Sequence, residues 1–157
     1  MQFSNPELLL DVRAFLGEGP AWDSARKRLY WVDIVAGHLH FFDPTTRQDD
    51  FVDVGQALGC VAPTRSGDVV LAFKGGLAIL NLSSFKLTAI INPENDLPGN
   101  RFNDGKCDPD GRFLAGTMDN AELLATGSLY SLSSGGMLKT LLTGVRISNG
   151  LAWSPDY

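Results

Sequence analysis

Short apolar runs separated by polar turns recur along the chain, and helical periodicity is weak. In residues 38–42, for example, polar and apolar side chains alternate as they do in a half-buried β-strand. Stretches rich in glycine, proline, asparagine and aspartate separate such runs every few residues. The pattern predicts an all-β protein with strands over residues 29–33, 38–42, 69–73, 77–82, 113–117, 127–132 and 138–142.

A larger repeat organises these runs. A small residue followed by a turn-rich stretch and a β-rich run occurs at Ala21, Ala62, Cys107 and Ala152, roughly 41 to 45 residues apart. This period is typical of β-propeller blades, each of which contains about four short antiparallel strands. We therefore expect one partial propeller domain over residues 1–157, with about three blades and the start of a fourth. Three blades leave open edges, so we also expect a truncated chain that the remaining half of a propeller or another chain covers.

Candidate metal ligands lie three positions ahead of each repeat. These positions hold Glu18, Gly59, Asp104 and Asn149, and Asn103 precedes the third. Asparagine and aspartate are also ordinary turn residues, so the Asn-Asp-Gly and Asn-Gly motifs, each taken alone, are better explained as turns. The common offset, and the placement of Glu18 between two glycines, favour a shared site of oxygen ligands. Such ligands suit Ca²⁺, with Mg²⁺ or Mn²⁺ as alternatives.

Composition narrows the class of partner. The 157 residues are 44% apolar with a net charge of −5, which fits a globular protein and argues against nucleic acid or an anionic membrane as main partner. No apolar run approaches the ~20 residues of a membrane span. Residues 1–7 lack a secretory signal, and Cys60 and Cys107 lack metal or disulfide spacing, so we expect a cytoplasmic protein. His38 and His40 fit an exposed strand face better than a zinc pair.

Several linked motifs closely resemble the regucalcin (senescence marker protein) and gluconolactonase family. They are Leu-Gly-Glu-Gly-Pro at 16–20, Arg-Phe-Asn-Asp-Gly-Lys at 101–106, Gly-Thr-Met at 116–118, and Ser-Asn-Gly-Leu-Ala-Trp-Ser at 148–154. They occur in the family's order over nearly all of the chain, which corresponds to the N-terminal half. The resemblance implies a six-bladed β-propeller whose members are mostly metal-dependent lactonases that open sugar lactones to aldonic acids.

The resemblance also assigns roles. Glu18 and Asn149 match metal ligands, Arg101 and Asn103 match substrate contacts, and Asn103 or Asp104 would reach the ion directly or through water. The expected ion is Ca²⁺, with Zn²⁺, Mn²⁺ or Mg²⁺ as alternatives. The remaining ligand, an aspartate also expected as general base, would lie beyond residue 157, so the 157-residue chain is expected to be inactive alone.

The role of Glu122 and the class of function stay open from sequence alone. Glu122 is the nearest candidate for a substrate-contacting glutamate that follows the Gly-Thr-Met motif in the family. A non-enzymatic calcium-binding regulatory propeller and a related propeller hydrolase of other esters are the alternatives to a sugar lactonase. An interaction scaffold, in which the polar turns bind no ion, is a third.

Overall fold

The computed structural model describes residues 5–156, which form twelve β-strands in three four-stranded antiparallel sheets. The first sheet contains β1 (Gly17–Asp23), β2 (Arg28–Asp33), β3 (His38–Asp43) and β4 (Gln48–Asp53). The second contains β5 (Leu58–Pro63), β6 (Val69–Phe73), β7 (Gly76–Leu80) and β8 (Leu87–Ile91). The third contains β9 (Asn100–Cys107), β10 (Phe113–Asp119), β11 (Gly127–Leu132) and β12 (Leu138–Val145). Residues 1–4, part of the segment considered for a secretory signal, and Tyr157 lie outside the described residues.

Each sheet is a meander in which consecutive strands pair. The all-β prediction and the four strands per repeat are therefore confirmed. The strand predicted at residues 127–132 coincides with β11, whereas β10 runs on to Asp119 because its end pairs with the start of β9, where Asp119 faces Asn100. Over residues 5–156, no helix is long and apolar enough to cross a membrane.

The core lies between the sheets. Successive side chains of a strand point to opposite faces, and β6 shows the consequence. Val69 and Leu71 enter the cluster shared with the first sheet, whereas Val70 and Ala72 enter the cluster shared with the third. All five residues of β6 are buried, so the second sheet is covered on both faces by its neighbours. This stacking fixes the first strands of the three sheets next to one another.

Those first strands, β1, β5 and β9, approach closely. A Cβ atom on Gly59 would lie 2.5 Å from the carbonyl carbon and oxygen of Phe102 and 2.8 Å from the nitrogen of Asn103. Only glycine leaves room for backbone at that distance. The repeat position at Gly59, which carries no ligand atom, is thus a packing position between β5 and β9.

Each first strand also carries a β-bulge. The register shifts by one residue between Glu18 and Ala21, between Leu58 and Cys60, and between residues 102 and 105. A bulge bends its strand and changes the direction of side chains. Residues 103–105 therefore belong to a bulged strand, and their interpretation as an ordinary turn is wrong.

The prediction of an exposed histidine face on β3 is wrong for His40. His40 is 3% exposed, its Nδ1 lies 2.6 Å from Oδ2 of Asp49, and its ring stacks on Trp31 with centroids 3.8 Å apart. Trp31 Nε1 donates to Oδ1 of the same carboxylate at 3.0 Å. His38 stacks on Phe51 instead, at 4.3 Å. Aromatic neighbours on the same face cover His40, and the alternation of residue types could not reveal that.

Candidate functional site

A cavity of about 510 Å³ opens where the three first strands meet the segment that follows β12. Glu18 from β1, Asp104 from β9 and Asn149 from the fourth repeat line it together. Three of the four positions with the common offset thus converge on one cavity. The second repeat contributes residues 61–63 to the lining in place of Gly59.

The side chains of Glu18 and Asn149 are exposed and make no hydrogen bond to any residue from 5 to 156. Their oxygen atoms are therefore available to a ligand. Local structure explains the position of Glu18. The backbone N–H groups of Phe15 and Leu16 donate to the Asp33 carboxylate at 2.8 and 3.1 Å, which anchors the segment that leads into Glu18.

The electrostatics of Asp33 agree with this anchoring. Burial alone would raise the pKa of its carboxyl, but hydrogen bonds from the N–H groups of Phe15, Ala36 and Leu16 outweigh burial and lower the pKa below its ordinary value. Hydrogen bonds to a charged acceptor favour its ionised form. Asp33 thus holds the entry to β1 as a carboxylate at neutral pH.

Asp104 joins β9 to the fourth repeat. Its Oδ2 accepts from the N–H of Gly150 at 2.7 Å, and its Oδ1 accepts from the N–H of Gly105 at 2.7 Å. An ionised carboxylate has about four lone-pair sites, so each oxygen can still approach a cation. The hydrogen bond from Gly150 places this residue, and with it Asn149, against the bulge of β9.

Arg101 and Asn103 form one linked unit. Arg101 Nη1 donates to Asn103 Oδ1 at 2.8 Å and to the Phe102 carbonyl at 3.0 Å, and its Nε donates to Asn120 Oδ1 at 2.9 Å. Asn103 Nδ2 in turn donates to the carbonyl of Ser148 at 2.9 Å. The predicted substrate contacts are therefore tied to the residue that precedes Asn149.

The Arg101 guanidinium is 8% exposed and forms no salt bridge with a described side chain. Arg101 is thus a buried, hydrogen-bonded side chain and not part of a surface salt bridge. Burial lowers the pKa of Arg101, and the negative charge of Glu122 opposes that shift. Glu122 therefore acts on Arg101 through space, with an exposed side chain and a left-handed φ of 62°.

A buried aspartate holds the loop that carries Glu122. Asp119 is 8% exposed, and its carboxylate accepts three backbone N–H groups at 3.0 to 3.2 Å. The donors are Ala121, Leu123 and Leu124. The hydrogen bonds from Leu124 and Ala121 outweigh burial and lower the pKa of Asp119. The loop after β10 is consequently a fixed turn that presents Asn120 and Glu122 beside Arg101.

The two cysteines are free, with Cys60 buried and Cys107 half-buried. Burial raises the pKa of the Cys60 thiol, and electrostatic repulsion from Asp104 and Cys107 raises it further. A Cβ on Gly105 would lie 2.6 Å from Cys60 Sγ, so the sulfur packs directly under the bulge. Cys60 acts here as a small apolar side chain.

The available donors suit a hard cation. Among residues 5–156, no three His, Cys, Asp or Glu side chains cluster as a metal site. The cavity instead offers carboxylate oxygens from Glu18 and Asp104 and an amide oxygen from Asn149. Calcium and magnesium bind such oxygens. The residues present therefore fit a divalent cation of this class.

Sequence reasoning missed two contributors to this site. Asn120 fixes the Arg101 guanidinium, and the backbone carbonyl of Ser148 fixes Asn103. A Cβ on Gly116 would collide with Ser148 Oγ, so Gly116 makes room for the segment 147–149 beside β10. Both motifs, Gly-Thr-Met and Ser-Asn-Gly, are visible in the sequence, but their contact with each other is visible only in the folded chain.

Comparison with known proteins identifies the family. A sequence model of the "SMP-30/Gluconolactonase/LRE-like region" matches residues 16–157. The chain is 39% identical to regucalcin of Xenopus laevis over 147 residues, which cover 90% of this chain and 49% of that protein. It is 33% identical to the 6-deoxy-6-sulfogluconolactonase of Pseudomonas putida over 141 residues, covering 90% of this chain and 48% of the relative.

The fold has solved counterparts. The crystal structure of a calcium-binding protein, regucalcin, from Agrobacterium tumefaciens superimposes with a TM-score of 0.89 at 29% identity, over 94% of this chain and 50% of the other. The chain thus spans about half the length of the relatives it matches. With the family match over residues 16–157 and relatives above 30% identity, the chain belongs to the SMP-30/gluconolactonase/LRE-like family.

Proposed function

We propose that the protein containing this chain hydrolyses sugar lactones to aldonic acids in a reaction that depends on a divalent metal ion. The observation that carries the proposal is the convergence of Glu18, Asp104 and Asn149 on one cavity. The buried Arg101 lies three residues before Asp104 on β9. Family membership supports the reaction class, since one relative is named a gluconolactonase of a sulfonated sugar.

Glu18 and Asn149 would hold the ion through oxygens that make no hydrogen bond within residues 5–156, and Asp104 would support them. Asn103 is the fourth candidate, although its amide oxygen already accepts from Arg101. We favour Ca²⁺, with Zn²⁺, Mn²⁺ and Mg²⁺ as alternatives. A bound cation supplies Lewis-acid stabilisation for the oxygen of the lactone carbonyl as negative charge develops there.

Arg101 would orient the sugar. Its Nε and Nη1 are committed to Asn120, Phe102 and Asn103, while Nη2 has no hydrogen-bond partner in the described part of the chain. Among residues 5–156, no fully buried side-chain nitrogen lacks a partner, so Nη2 is accessible to solvent. Two N–H groups on one nitrogen can donate to a substrate hydroxyl or carbonyl. Asn103 and Glu122 would complete this sugar-binding side.

A non-enzymatic calcium-binding role is the second candidate, because a structural relative at 29% identity is described as a calcium-binding protein. Turnover separates the two functions, since a regulatory protein would bind Ca²⁺ and leave lactones intact. A propeller hydrolase of other esters would turn over aryl esters or phosphotriesters in preference to sugar lactones. A scaffold would bind neither ion nor lactone.

The decisive experiment uses protein expressed from the complete reading frame. Hydrolysis of glucono-, galactono- and xylonolactone is measured during titration with Ca²⁺, Mn²⁺, Zn²⁺ or Mg²⁺, and metal affinity is measured separately by calorimetry. Glu18→Gln and Asn149→Ala should lose metal affinity and turnover together while the circular dichroism spectrum is unchanged. Glu7→Gln, which changes an exposed glutamate outside the cavity lining, is the matched control. Metal-independent turnover, or full activity of Glu18→Gln, would refute the proposal.

Four further expectations stay predictions. They are closure into six blades, a single domain over residues 1–157, a cytoplasmic location, and inactivity of the 157-residue chain by itself. The inactivity prediction rests on the general-base aspartate that the family resemblance implies outside residues 1–157. Expression of residues 1–157 alone, followed by the same lactonase assay, tests the inactivity prediction directly.

A further inference from the structure

The loop between β8 and β9 contains a buried carboxylate, that of Glu94. Glu94 is 8% exposed and has no cationic partner among residues 5–156. Three neutral donors satisfy it instead. Thr117 Oγ1 and Tyr130 Oη donate to Oε1 at 2.7 and 2.9 Å, and Asn100 Nδ2 donates to Oε2 at 2.9 Å. Burial of a carboxylate is costly unless such donors surround it, so this arrangement calls for an explanation.

The three donors come from three different strands. Asn100 begins β9, Thr117 lies in β10 and Tyr130 lies in β11. Asn100 is held further by Thr126, whose Oγ1 donates to Asn100 Oδ1 at 2.7 Å and whose carbonyl accepts from Nδ2 at 3.2 Å. Glu94 thus fixes the point where the chain leaves the loop and enters β9.

That point directly precedes the site. Asn100 is followed by Arg101, whose guanidinium holds Asn103, and Asn103 holds the Ser148 carbonyl next to Asn149. A continuous series of hydrogen bonds and one peptide bond therefore runs from the Glu94 carboxylate to the fourth-repeat segment of the cavity. If the Glu94 contact is lost, the Asn100 side chain keeps, among residues 5–156, only its two hydrogen bonds with Thr126.

We propose that Glu94 is a positioning residue that sets the start of β9, and so aims Arg101 and Asn103 at the substrate; this rests on the proposed lactonase function. Glu94 does not line the cavity and forms no hydrogen bond with Arg101, so it acts through Asn100. Because positional errors of about 1 Å in a binding group cost roughly 100-fold in rate, displacement of β9 should lower activity well before the protein unfolds.

The carboxylate's hydrogen bonds, rather than its charge, are what the site needs. In Glu94→Gln, the amide oxygen can still accept from Asn100, while the amide N–H₂ donates to the hydroxyls of Thr117 and Tyr130, which can accept. In Glu94→Ala no acceptor remains. Tyr130→Phe is the matched control, because it deletes a donor from the same carboxylate without touching Asn100.

The experiment uses protein from the complete reading frame and three readouts: kcat and KM on the preferred lactone, denaturant unfolding, and hydrogen–deuterium exchange of peptides that cover residues 100–104. Glu94→Ala should lower kcat/KM by roughly 10- to 100-fold and speed exchange at 100–104. Glu94→Gln should stay within about threefold of wild type in kcat/KM, since its hydrogen bonds can be kept. Tyr130→Phe should lose stability while its kcat/KM and exchange at 100–104 match wild type.

Asn100→Ala supplies a second route if Glu94→Ala fails to fold, because it removes the link and leaves Glu94 bonded to Thr117 and Tyr130. It should reproduce the loss of kcat/KM and the faster exchange. Equal losses of kcat/KM in Tyr130→Phe and Glu94→Ala would overturn the positioning role, as would unchanged exchange at 100–104. If the wild-type protein hydrolyses no lactone, the proposed function fails, and the exchange comparison alone still decides whether Glu94 positions β9.

Discussion

Gly59→Ala tests whether the close approach of β5 and β9 shapes the candidate site. The added methyl group would meet backbone atoms only: the carbonyl carbon and oxygen of Phe102 at 2.5 Å and the nitrogen of Asn103 at 2.8 Å. Ordinary van der Waals contact requires about 3.5 Å or more, so the overlap is close to 1 Å. A side-chain rotation cannot relieve it, because no side-chain atom is involved.

The magnitude follows from this geometry. Overpacking of a tight interior costs about 1–3 kcal/mol, and the rigid backbone on both sides places Gly59→Ala near the upper end, about 2–3 kcal/mol. Gly135→Ala is the matched control. Its Cβ would find only Ser133 Oγ at 3.9 Å, with no positive φ. The control should be neutral or more stable by about 0.4–1 kcal/mol, since alanine reduces the freedom of the unfolded chain.

Urea unfolding of both variants measures the difference, with the midpoint and the slope fitted separately. The slope should be unchanged, because the same surface is exposed on unfolding. Relief of the overlap must also move β9 at Asn103, so kcat/KM should fall in Gly59→Ala and stay constant in Gly135→Ala. Equal midpoints for the two variants would refute the claim that β5 and β9 are in backbone contact at Gly59.

Two further predictions concern the anchors of the site. Asp33→Asn should destabilise the protein by about 1–3 kcal/mol at pH 7, because an amide N–H₂ would face a backbone N–H of Phe15 or Leu16. Hydrogen bonding lowers the folded pKa of Asp33, so the stability that its carboxylate contributes is present above the unfolded pKa and is lost as the pH drops below about 4. The free energies of unfolding of wild type and Asp33→Asn, measured from pH 7 to 3, should therefore converge. A constant difference between them would contradict this prediction. Arg101→Lys should lower kcat/KM by roughly 10- to 100-fold with little change in the unfolding midpoint, because one ammonium cannot hold Asn103 and Asn120 together. Steady-state kinetics on the preferred lactone test this prediction. Unchanged kinetics would rule out a role for the forked contact of Arg101.

The architecture could be predicted from sequence because it depends on local patterns. The apolar run of residues 69–73 and its glycine-rich turn determine strand and hairpin locally, and the 41- to 45-residue period supplies the repeat. The burial of His40 could not be predicted. Its partner Asp49 lies on the adjacent strand β4, where the sequence pattern alone is that of an ordinary polar edge.

For the candidate site too, the repeat predicts some of the residues and long-range contacts determine the others. The common offset found Glu18, Asp104 and Asn149, which line one cavity, because equivalent positions in stacked repeats lie near one another. The offset could not find Asn120 or Glu94. Asn120 holds Arg101 across 19 positions, and Glu94 accepts hydrogen bonds from residues 6, 23 and 36 positions away. No repeat or spacing relates these side chains to the residues they hold.

The hydrogen bonds at the cavity also rank the candidate ligands. Asn103 uses its oxygen on Arg101 and its nitrogen on Ser148, and both Asp104 oxygens accept backbone N–H groups. A cation would have to compete with these bonds at Asn103, whereas Glu18 and Asn149 bring oxygens that no described residue engages. Replacing a hydrogen bond costs about 1 kcal/mol net, so direct ligation should rest on Glu18 and Asn149 first. Asn103→Asp then separates the two roles: it removes the donor to Ser148, and should disturb Arg101 and substrate affinity more than metal affinity, which calorimetry and KM measured side by side can distinguish.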